Sequence, residues 1–475
     1  MKYLIPTVLA SSALLMSSGV MAATTDVRLS NQVQAIDAQT QQLQKEVASL
    51  RQQLHSKKGA VSKVGLAADD PYKHFVTVTT SPFIGSSTNY NSSDVLFQTS
   101  SMNEDLILLR QHQQVDKYLK ERGYTLNRPI VEISGGLEGQ LYHVEGFGQQ
   151  STDKGISLSN AELDVNALAG SWASAFMSIN YTDMSTSEGN RDPLEVLYLK
   201  RGFFTLGNLS KFPVYFTMGK IYSPFGKYSS TMLTTPLTLS LGRISTTNAI
   251  LGVSSHGFSG QVYGYSGSKT TGGSKVFKQG GLNASYEKDF SKGSVEFGAG
   301  LVSNLGDSQG MQDTGNKGSG EFQGFGINGN ALKHNVSALN VQGKLEYASF
   351  AFIGEYVGAL RSFDINDLTY DTGKAAAPKA MHFEVDYTFH ALKRPWTAGV
   401  MYGRSFQALA LNLPKDSYSV ILQTSMVRNT LQTIEYRHDK DFTGTATGGS
   451  TQPANAIVGT GRTRNSVIAQ VGVYF

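Results

Sequence analysis

Cysteine is absent from this chain, and tryptophan and charged residues are scarce. The 475 residues include 2 Trp, 16% are charged, and the formal net charge is +4. Without thiols the chain can form no disulfide, no thiolate metal site and no cysteine nucleophile. The small net charge gives no reason to expect a nucleic acid partner. No arrangement of nucleophile and base typical of an enzyme is apparent, and we predict no catalytic residues, no cofactor and no metal site.

Long apolar runs are also missing beyond residue 22. Residues 1–22 combine Lys2, an apolar stretch and small residues ending at Ala22, which is the pattern of a secretory signal peptide. After Ala22 no apolar run approaches the roughly 18 residues that a membrane-spanning helix needs. Glycine is abundant at 50 residues, as are Tyr and Phe at 22 and 24. This composition is typical of a transmembrane β-barrel, in which only every second residue faces lipid.

Residues 24–57 carry a heptad pattern of apolar positions separated by polar ones. The apolar positions proposed for a coiled coil are Leu29, Val33, Ile36, Leu43, Val47, Leu50 and Leu54. Because the other positions of this helix are polar, its apolar seam must pack against a partner. That partner is either a second copy of the chain, which would make a homo-oligomer, or another part of the same chain.

Residues 58–128 are predicted to form a linker followed by a small α/β segment. The stretch at 101–123, "SMNEDLILLRQHQQVDKYLKERG", favours a helix, since Ser101 and Glu104 form a capping box and Gly123 supplies a stop signal. The segment is too short for a convincing domain. We expect it to lie in or under the mouth of a barrel.

From Arg128 onward, apolar and polar residues alternate. The pattern is clear in "VEISGGLEGQL" at 131–141, "ALNVQGKLEY" at 338–347 and "HFEVDYTFH" at 382–390. A soluble sandwich also alternates, but its polar face would be rich in Lys. Residues 129–475 are therefore predicted to be all-β, an antiparallel transmembrane barrel of about 16 strands.

The last ten residues, "SVIAQVGVYF", continue the alternation to Phe475. We predict that this strand pairs with the first one, because an unpaired edge in lipid is strongly unfavourable. Tyr474 and Phe475 also resemble the terminal signal read by the bacterial barrel-assembly machinery. The expected location is the outer membrane of a Gram-negative bacterium, in contact with its lipid, with the N-terminal extension in the periplasm.

Three stretches together resemble the LbtU-type siderophore porin family, which includes FslE/FupA-like outer-membrane proteins. They are the Gln-rich heptad segment, the region at 81–111, and "YFTMGKIYSPFGKYSSTMLTTPLTLSLGR" at 215–243. The resemblance implies a barrel of about 16 strands with a periplasmic extension. It also implies uptake of iron or of a ferric siderophore. No clear TonB box and no plug of the usual size are present, so coupling to TonB is not expected.

Eight residues are candidates for binding a ligand or lining the pore. They are Lys220, Tyr222, Lys227, Lys344, Arg361, Glu384, Asp386 and Arg437. The bases in 220–227 could draw an anionic ferric siderophore of the polycarboxylate type, or they could merely belong to a structural turn. The more numerous acids on the predicted inner face allow a ferrous iron path, or a network of paired charges. A general diffusion porin and a structural or adhesive barrel remain the alternatives.

Overall fold

A computed structural model of the chain describes nine segments. They are residues 103–121, 130–147, 152–184, 194–267, 278–315, 332–371, 373–427, 429–449 and 457–475. The predicted signal peptide, the predicted coiled coil with its seven seam residues, and residues 58–102 lie outside the described residues. Among the helices of the described segments, none combines the length and the apolar character needed to cross a membrane.

Alternating residues after Arg128 form a closed antiparallel barrel, which confirms the predicted fold class and strand number. Each of its strands pairs with its neighbours along the chain. The 16 barrel strands are β1 Ile130–Val144, β2 Asp153–Ala169, β3 Ala173–Met184, β4 Leu194–Gly207, β5 Val214–Tyr222, β6 Ser245–Ser255, β7 Phe258–Tyr265, β8 Gln279–Phe290, β9 Gly293–Val302, β10 Ala338–Tyr347, β11 Phe350–Ala359, β14 Lys379–Ala391, β15 Arg394–Phe406, β16 Asp416–Thr424, β17 Thr430–Lys440 and β20 Thr463–Tyr474.

The barrel closes where β20 pairs with β1, as the sequence predicts. Its register places Tyr474 opposite Gly136 and Ser466 opposite Val144. Phe475 extends the pairing, since its backbone N–H donates to the Gly135 carbonyl at 3.0 Å. Backbone pairing along this seam is therefore continuous from Gly135 to Val144.

Side chains alternate between an apolar outside and a polar lumen. On β14, Phe383 and Val385 are 53% and 38% exposed, whereas Glu384 and Asp386 are 2% and 1% exposed. Successive side chains of a strand point to opposite faces, so one strand serves both surfaces. The apolar outside is the surface that a bilayer requires.

The two ends of the barrel differ in their connections. Tight turns join β2 to β3, β6 to β7, β8 to β9, β10 to β11 and β14 to β15. This end, where β1 also begins, is called the short-turn end. The longer connections, including residues 223–244, 360–378 and 441–462, lie at the opposite end, called the long-loop end. Short turns face the periplasm in outer-membrane barrels.

Shorter elements accompany the barrel. Four short strands, β12 Thr369–Tyr370, β13 Lys374–Ala375, β18 Thr447–Gly449 and β19 Ile457–Val458, form a separate sheet within the long loops. The helices are α1 Glu104–Glu121, α2 Leu237–Gly242 and α3 Gln309–Gly315, with 3₁₀ turns at Leu305–Asp307 and Leu409–Leu411. Helix α1 confirms the helix predicted at 101–123.

Candidate functional site: the lumen and its two inserts

Residues 223–244, called the inner loop, turn from the end of β5 into the lumen. Pro224 and Gly226 end the strand, and Gly226 has a φ of +84°, a conformation that glycine adopts without strain. A Cβ atom at Gly226 would lie 2.2 Å from the Tyr228 ring. The Tyr228 hydroxyl donates to the Phe225 carbonyl at 2.6 Å, and Phe225 is fully buried. This compact turn directs the rest of the loop toward the opposite wall.

Glu355 on β11 holds the first part of the inner loop. Its carboxylate accepts backbone N–H groups from Lys227 at 2.8 Å and Tyr228 at 3.0 Å. The Thr238 hydroxyl donates to the same carboxylate at 3.1 Å. Glu355 is 4% exposed. A buried carboxylate is strongly destabilising unless donors surround it, and here the loop supplies them.

Glu384 and Asp386 on β14 hold the tip of the inner loop. Glu384 accepts from the Ser230 hydroxyl and the Thr231 N–H, each at 2.6 Å. The Thr231 hydroxyl lies 2.5 Å from Glu384 and 2.9 Å from Asp386. His382, on the same face of the strand, places Nε2 3.0 Å from the Glu384 carboxylate.

Glu435 on β17 completes this set of acids. It accepts from the Thr234 N–H at 2.9 Å and from the Thr234 hydroxyl. We call Glu355, Glu384, Asp386 and Glu435 the carboxylate ladder. Each member is less than 5% exposed and accepts a hydrogen bond from the inner loop. The loop is thus attached to three strands of the wall.

Helix α1 occupies the lumen from the short-turn end and is anchored differently. Arg201 on β4 donates to Glu104 of the helix at 2.9 Å and to Glu162 of β2. Arg201 and Glu104 are 1% and 0% exposed. One arginine therefore joins the N-terminal end of the helix to the wall.

Further along α1, apolar and polar contacts fix the helix at the mouth. Leu106 and Leu109 pack with Tyr215 of β5. His112 lies 2.6 Å from the carbonyl oxygen of Gly170 in the β2–β3 turn, and Arg110 pairs with Glu287 at 3.2 Å. These contacts place α1 in a barrel mouth, whereas residues 58–102 and 122–129 of the predicted segment lie outside the described residues.

Burial shifts the pKa values of two ionisable groups on α1. It raises the pKa of the Asp105 carboxyl to about 6, because desolvation disfavours the charged form. It lowers the pKa of the His112 imidazole for the same reason. Burial of α1 therefore favours protonation of Asp105 but opposes protonation of His112.

Two of the predicted bases lie together in the lumen, in a row of partly exposed charges. Lys227 of the inner loop pairs with Glu296 on β9, and Lys344 on β10 pairs with Glu346 at 2.5 Å. These four side chains are 15–29% exposed, and we call them the charged strip. The strip contains two bases and two acids, so its net charge is zero.

The other acidic and basic candidates on the inner face are engaged with neighbours. Glu384 and Asp386 belong to the carboxylate ladder. Arg437 pairs with Asp439 at 2.8 Å and donates to the Thr235 carbonyl at 3.4 Å. In the described segments, no group of three or more His, Asp or Glu side chains has an arrangement that could hold a metal ion.

Three candidates are not on the inward face of a barrel strand, and these placements correct the sequence-based interpretation. Lys220 shares the outward face of β5 with Met218, and its ammonium group donates to the Leu199 carbonyl at 2.6 Å. Arg361 is exposed in the connection after β11, because β11 ends at Ala359. Tyr222 is buried, with the Arg243 guanidinium 5.0 Å from its ring centre.

The roles of Arg201 and Glu104 in anchoring α1 are not apparent from the sequence, in which Glu104 is interpreted as part of a capping box. The available signal was the adjacent pair Lys200 and Arg201 within an otherwise apolar and aromatic strand, "LEVLYLKRGFFTLG". Both side chains contact Glu162, since the β3–β4 pairing shifts register beside them. An irregularity in strand pairing cannot be read from periodicity alone.

The barrel is similar to several solved outer-membrane proteins. OmpT, an outer membrane protein of Vibrio cholerae, is 14% identical, with a TM-score of 0.44 over 74% of this chain and 99% of that one. An anion-selective porin from Comamonas acidovorans is 10% identical, with a TM-score of 0.46 over 73% of this chain and 100% of that one.

Sequence relatives identify the family. No family model matches the chain. A UPF0422 protein of Coxiella burnetii is 34% identical over 463 residues, covering 95% of this chain and 94% of the relative. A UPF0422 protein of Legionella pneumophila (strain Lens) is 37% identical over 409 residues, covering 84% of this chain and 76% of the relative. At this identity and coverage, the chain belongs to the UPF0422 family.

Proposed function

We propose that this protein is an outer-membrane porin, a channel rather than an enzyme, whose lumen is narrowed by the inner loop and helix α1. The observation that carries the proposal is the attachment of a long loop to the carboxylate ladder inside a closed barrel. An apolar outside and a polar lumen suit a protein that offers solutes a path through a bilayer. A loop fixed inside such a path restricts what passes.

For the cargo we propose iron, as a ferric siderophore of the polycarboxylate type, taken up without TonB coupling. The resemblance to LbtU-type siderophore porins supports this choice. The acids of the ladder face inner-loop donors, whereas Lys227 and Lys344 stay partly exposed. An anionic chelate would therefore meet a less acidic wall than the composition of the strands suggests.

The balanced charge of the strip favours a second candidate, a general diffusion porin with no role in iron uptake. Two bases beside two acids give only weak selection by charge. The ferrous iron path through Glu384 and Asp386 has less support, since inner-loop donors already occupy those carboxylates.

A charge-reversal experiment separates the candidates. In a deletion strain, the Lys227→Glu/Lys344→Glu protein is expected to take up polycarboxylate-chelated radioactive iron about 10-fold more slowly than wild type, because the strip becomes acidic. Lys220→Glu is the matched control, since Lys220 faces outward. Heat-modifiable migration in gels checks that each barrel assembles.

Three results would count against the iron proposal. Equal losses of chelate and neutral-sugar uptake in the deletion strain, with wild-type chelate uptake by the double variant, would indicate a general porin. Increased uptake of free ferrous iron alone would indicate a cation path. Normal uptake of every solute in the deletion strain would contradict a porin role.

A further inference from the structure

Polar side chains gather on the outside of the barrel at the long-loop end of five neighbouring strands. We call this surface the outer belt. It consists of Lys379 on β14, Tyr402 and Arg404 on β15, Asp416 and Tyr418 on β16, Tyr436, His438 and Lys440 on β17, and Asn465 on β20. By the alternation of each strand, these residues share a face with exposed apolar residues such as Val400 and Val420.

Cross-strand pairing places the charges of the belt in one row. Arg404 is directly opposite Asp416, and Asp416 is directly opposite Lys440. Lys379 is opposite Phe406, two residues from Arg404 on the same face. Neighbours of this kind lie within reach of long side chains. The row contains three bases and one acid.

Side-chain contacts make the belt continuous. Arg404 lies 3.5 Å from Asp416, and the Tyr402 hydroxyl donates to Asp416 at 2.9 Å. The Tyr402 and Tyr418 ring centres are 5.1 Å apart, and the Tyr418 and His438 rings are 6.5 Å apart. Most of the belt is thus a connected surface rather than scattered residues.

Asn465 bounds the belt on its β20 side. Its side-chain oxygen accepts from the Tyr436 hydroxyl and lies near His438 Nδ1, each at 2.8 Å. Its backbone and side-chain N–H groups donate to Glu145 at 3.0 and 2.8 Å. The Glu145 carboxylate is therefore engaged by protein donors at this boundary.

In the described parts of β6, β9 and β10, on the opposite side of the barrel, the outward positions carry no such row of bases. At the same end, the outward positions of β6, β9 and β10 include Thr247, Leu301 and Leu339. Bases on a lipid-facing surface are tolerated near the polar headgroups rather than in the hydrocarbon. The belt therefore lies at headgroup level on one side of the molecule.

We propose that the outer belt binds the phosphorylated glycolipid of the outer leaflet. Guanidinium and ammonium groups form charge-assisted hydrogen bonds with phosphate oxygens, and tyrosine rings favour the headgroup level. The apolar outward residues below the belt would contact the acyl chains. The proposal rests on the outer-membrane location proposed above.

Lipid binding to the purified full-length protein tests this surface. Native mass spectrometry in detergent would follow binding of bis-phosphorylated lipid A and of the same lipid without phosphates. Wild type is expected to retain the phosphorylated form selectively. In Lys379→Glu/Arg404→Glu/Lys440→Glu, affinity is expected to fall at least about a hundredfold, because the loss of each base costs roughly fivefold and the new carboxylates repel phosphate. Lys220→Glu, an outward base away from the belt, is the control.

A second variant with smaller changes tests whether a loss of binding comes from misassembly of the barrel. Lys379→Gln/Lys440→Gln leaves the Arg404–Asp416 pair intact and is expected to weaken binding about 25-fold. Wild-type affinity in both variants, or equal binding of the dephosphorylated lipid, would overturn the proposal. Because no transport is measured, a negative result here is distinct from failure of the porin proposal, which the uptake assay tests.

Discussion

Helix α1 and the inner loop occupy the same acidic lumen, but opposite chemistry holds them in place. The helix contributes the carboxylate of Glu104 to an arginine on the wall. The loop contributes neutral N–H and hydroxyl groups to carboxylates on the wall. The N-terminal end of the helix therefore depends on one buried arginine, whereas the loop depends on several donors spread over three strands. A single substitution should detach the helix more readily than the loop.

The largest effect is expected from Arg201→Met. Removing one partner of a buried ion pair costs about 3–5 kcal/mol, and here Glu104 would stay buried without its arginine, whereas Glu162 would keep its pair with Lys200. Glu104 and Glu162 would both lose their arginine, and α1 should leave the lumen. Trypsin cleavage after Arg110 or Lys117 would then become rapid while the barrel stays heat-modifiable.

The control for this prediction is Arg201→Met combined with Glu104→Gln and Glu162→Gln. Neutral amides remove the two carboxylate charges that Arg201 balanced, so part of the protease protection should return. Slow cleavage in Arg201→Met alone would show that the apolar contacts of Leu106 and Leu109 suffice to hold the helix.

Asp105→Asn should give the next largest effect, and one that depends on pH. The Asp105 pKa of about 6 lies above its usual value of 3.8, so the docked helix favours the protonated carboxyl. The stability that this protonation gives to docking is lost as pH rises through 6. The isosteric amide should therefore strengthen docking by up to about 3 kcal/mol at pH 7.5 and by little at pH 4. Hydrogen exchange of the α1 amides measures this difference.

The same variant should reveal the opposite behaviour of His112. Because burial lowers the pKa of His112, docking stability should fall as pH drops below its unperturbed value of 6.5. In Asp105→Asn, protection of α1 should therefore decrease on acidification. Glu121→Gln, at an exposed position, serves as control. Protection of wild type and Asp105→Asn that changes identically with pH would contradict the assignment.

Thr231→Val should have the smallest effect of the three. It removes one hydroxyl shared by Glu384 and Asp386, a loss of about 1–3 kcal/mol, while the other donors of the loop remain. Amides near the loop tip should exchange faster, but the loop should stay in the lumen. Thr235→Val, at an exposed loop position, is the control. Release of the whole loop would show that its anchors act as one unit.

Strand number and facing were accessible from the sequence because alternation is a local property. "HFEVDYTFH" by itself places Glu384 and Asp386 on the inner face. The same period assigns Lys220 to the outward face with Met218. Lys220 was nevertheless predicted to face the lumen, because a base near a loop could draw an anionic ligand. The prediction that Lys220 lines the pore relied on its charge rather than on its position in the alternation, and it was wrong.

The partners of the ladder could not be read in the same way. Thr231 meets Glu384 across 153 residues, and Thr234 meets Glu435 across 201 residues. Only folding of the barrel defines such distant pairs. The hydroxyl-rich stretch "SSTMLTT" at 229–235 was the available signal, because donors in that number suit a wall of buried acids.

The two contacts of Arg201 also imply an order of assembly. Glu162 is 39 residues from Arg201 along the chain, whereas Glu104 is 97 residues away. The entropy lost on closing a chain segment grows with its length, so the contact within the barrel should form first. Arg201 would already be paired with Glu162 when the helix arrives. The growing barrel can therefore pass through a stage without α1 in which this arginine is never left without a carboxylate.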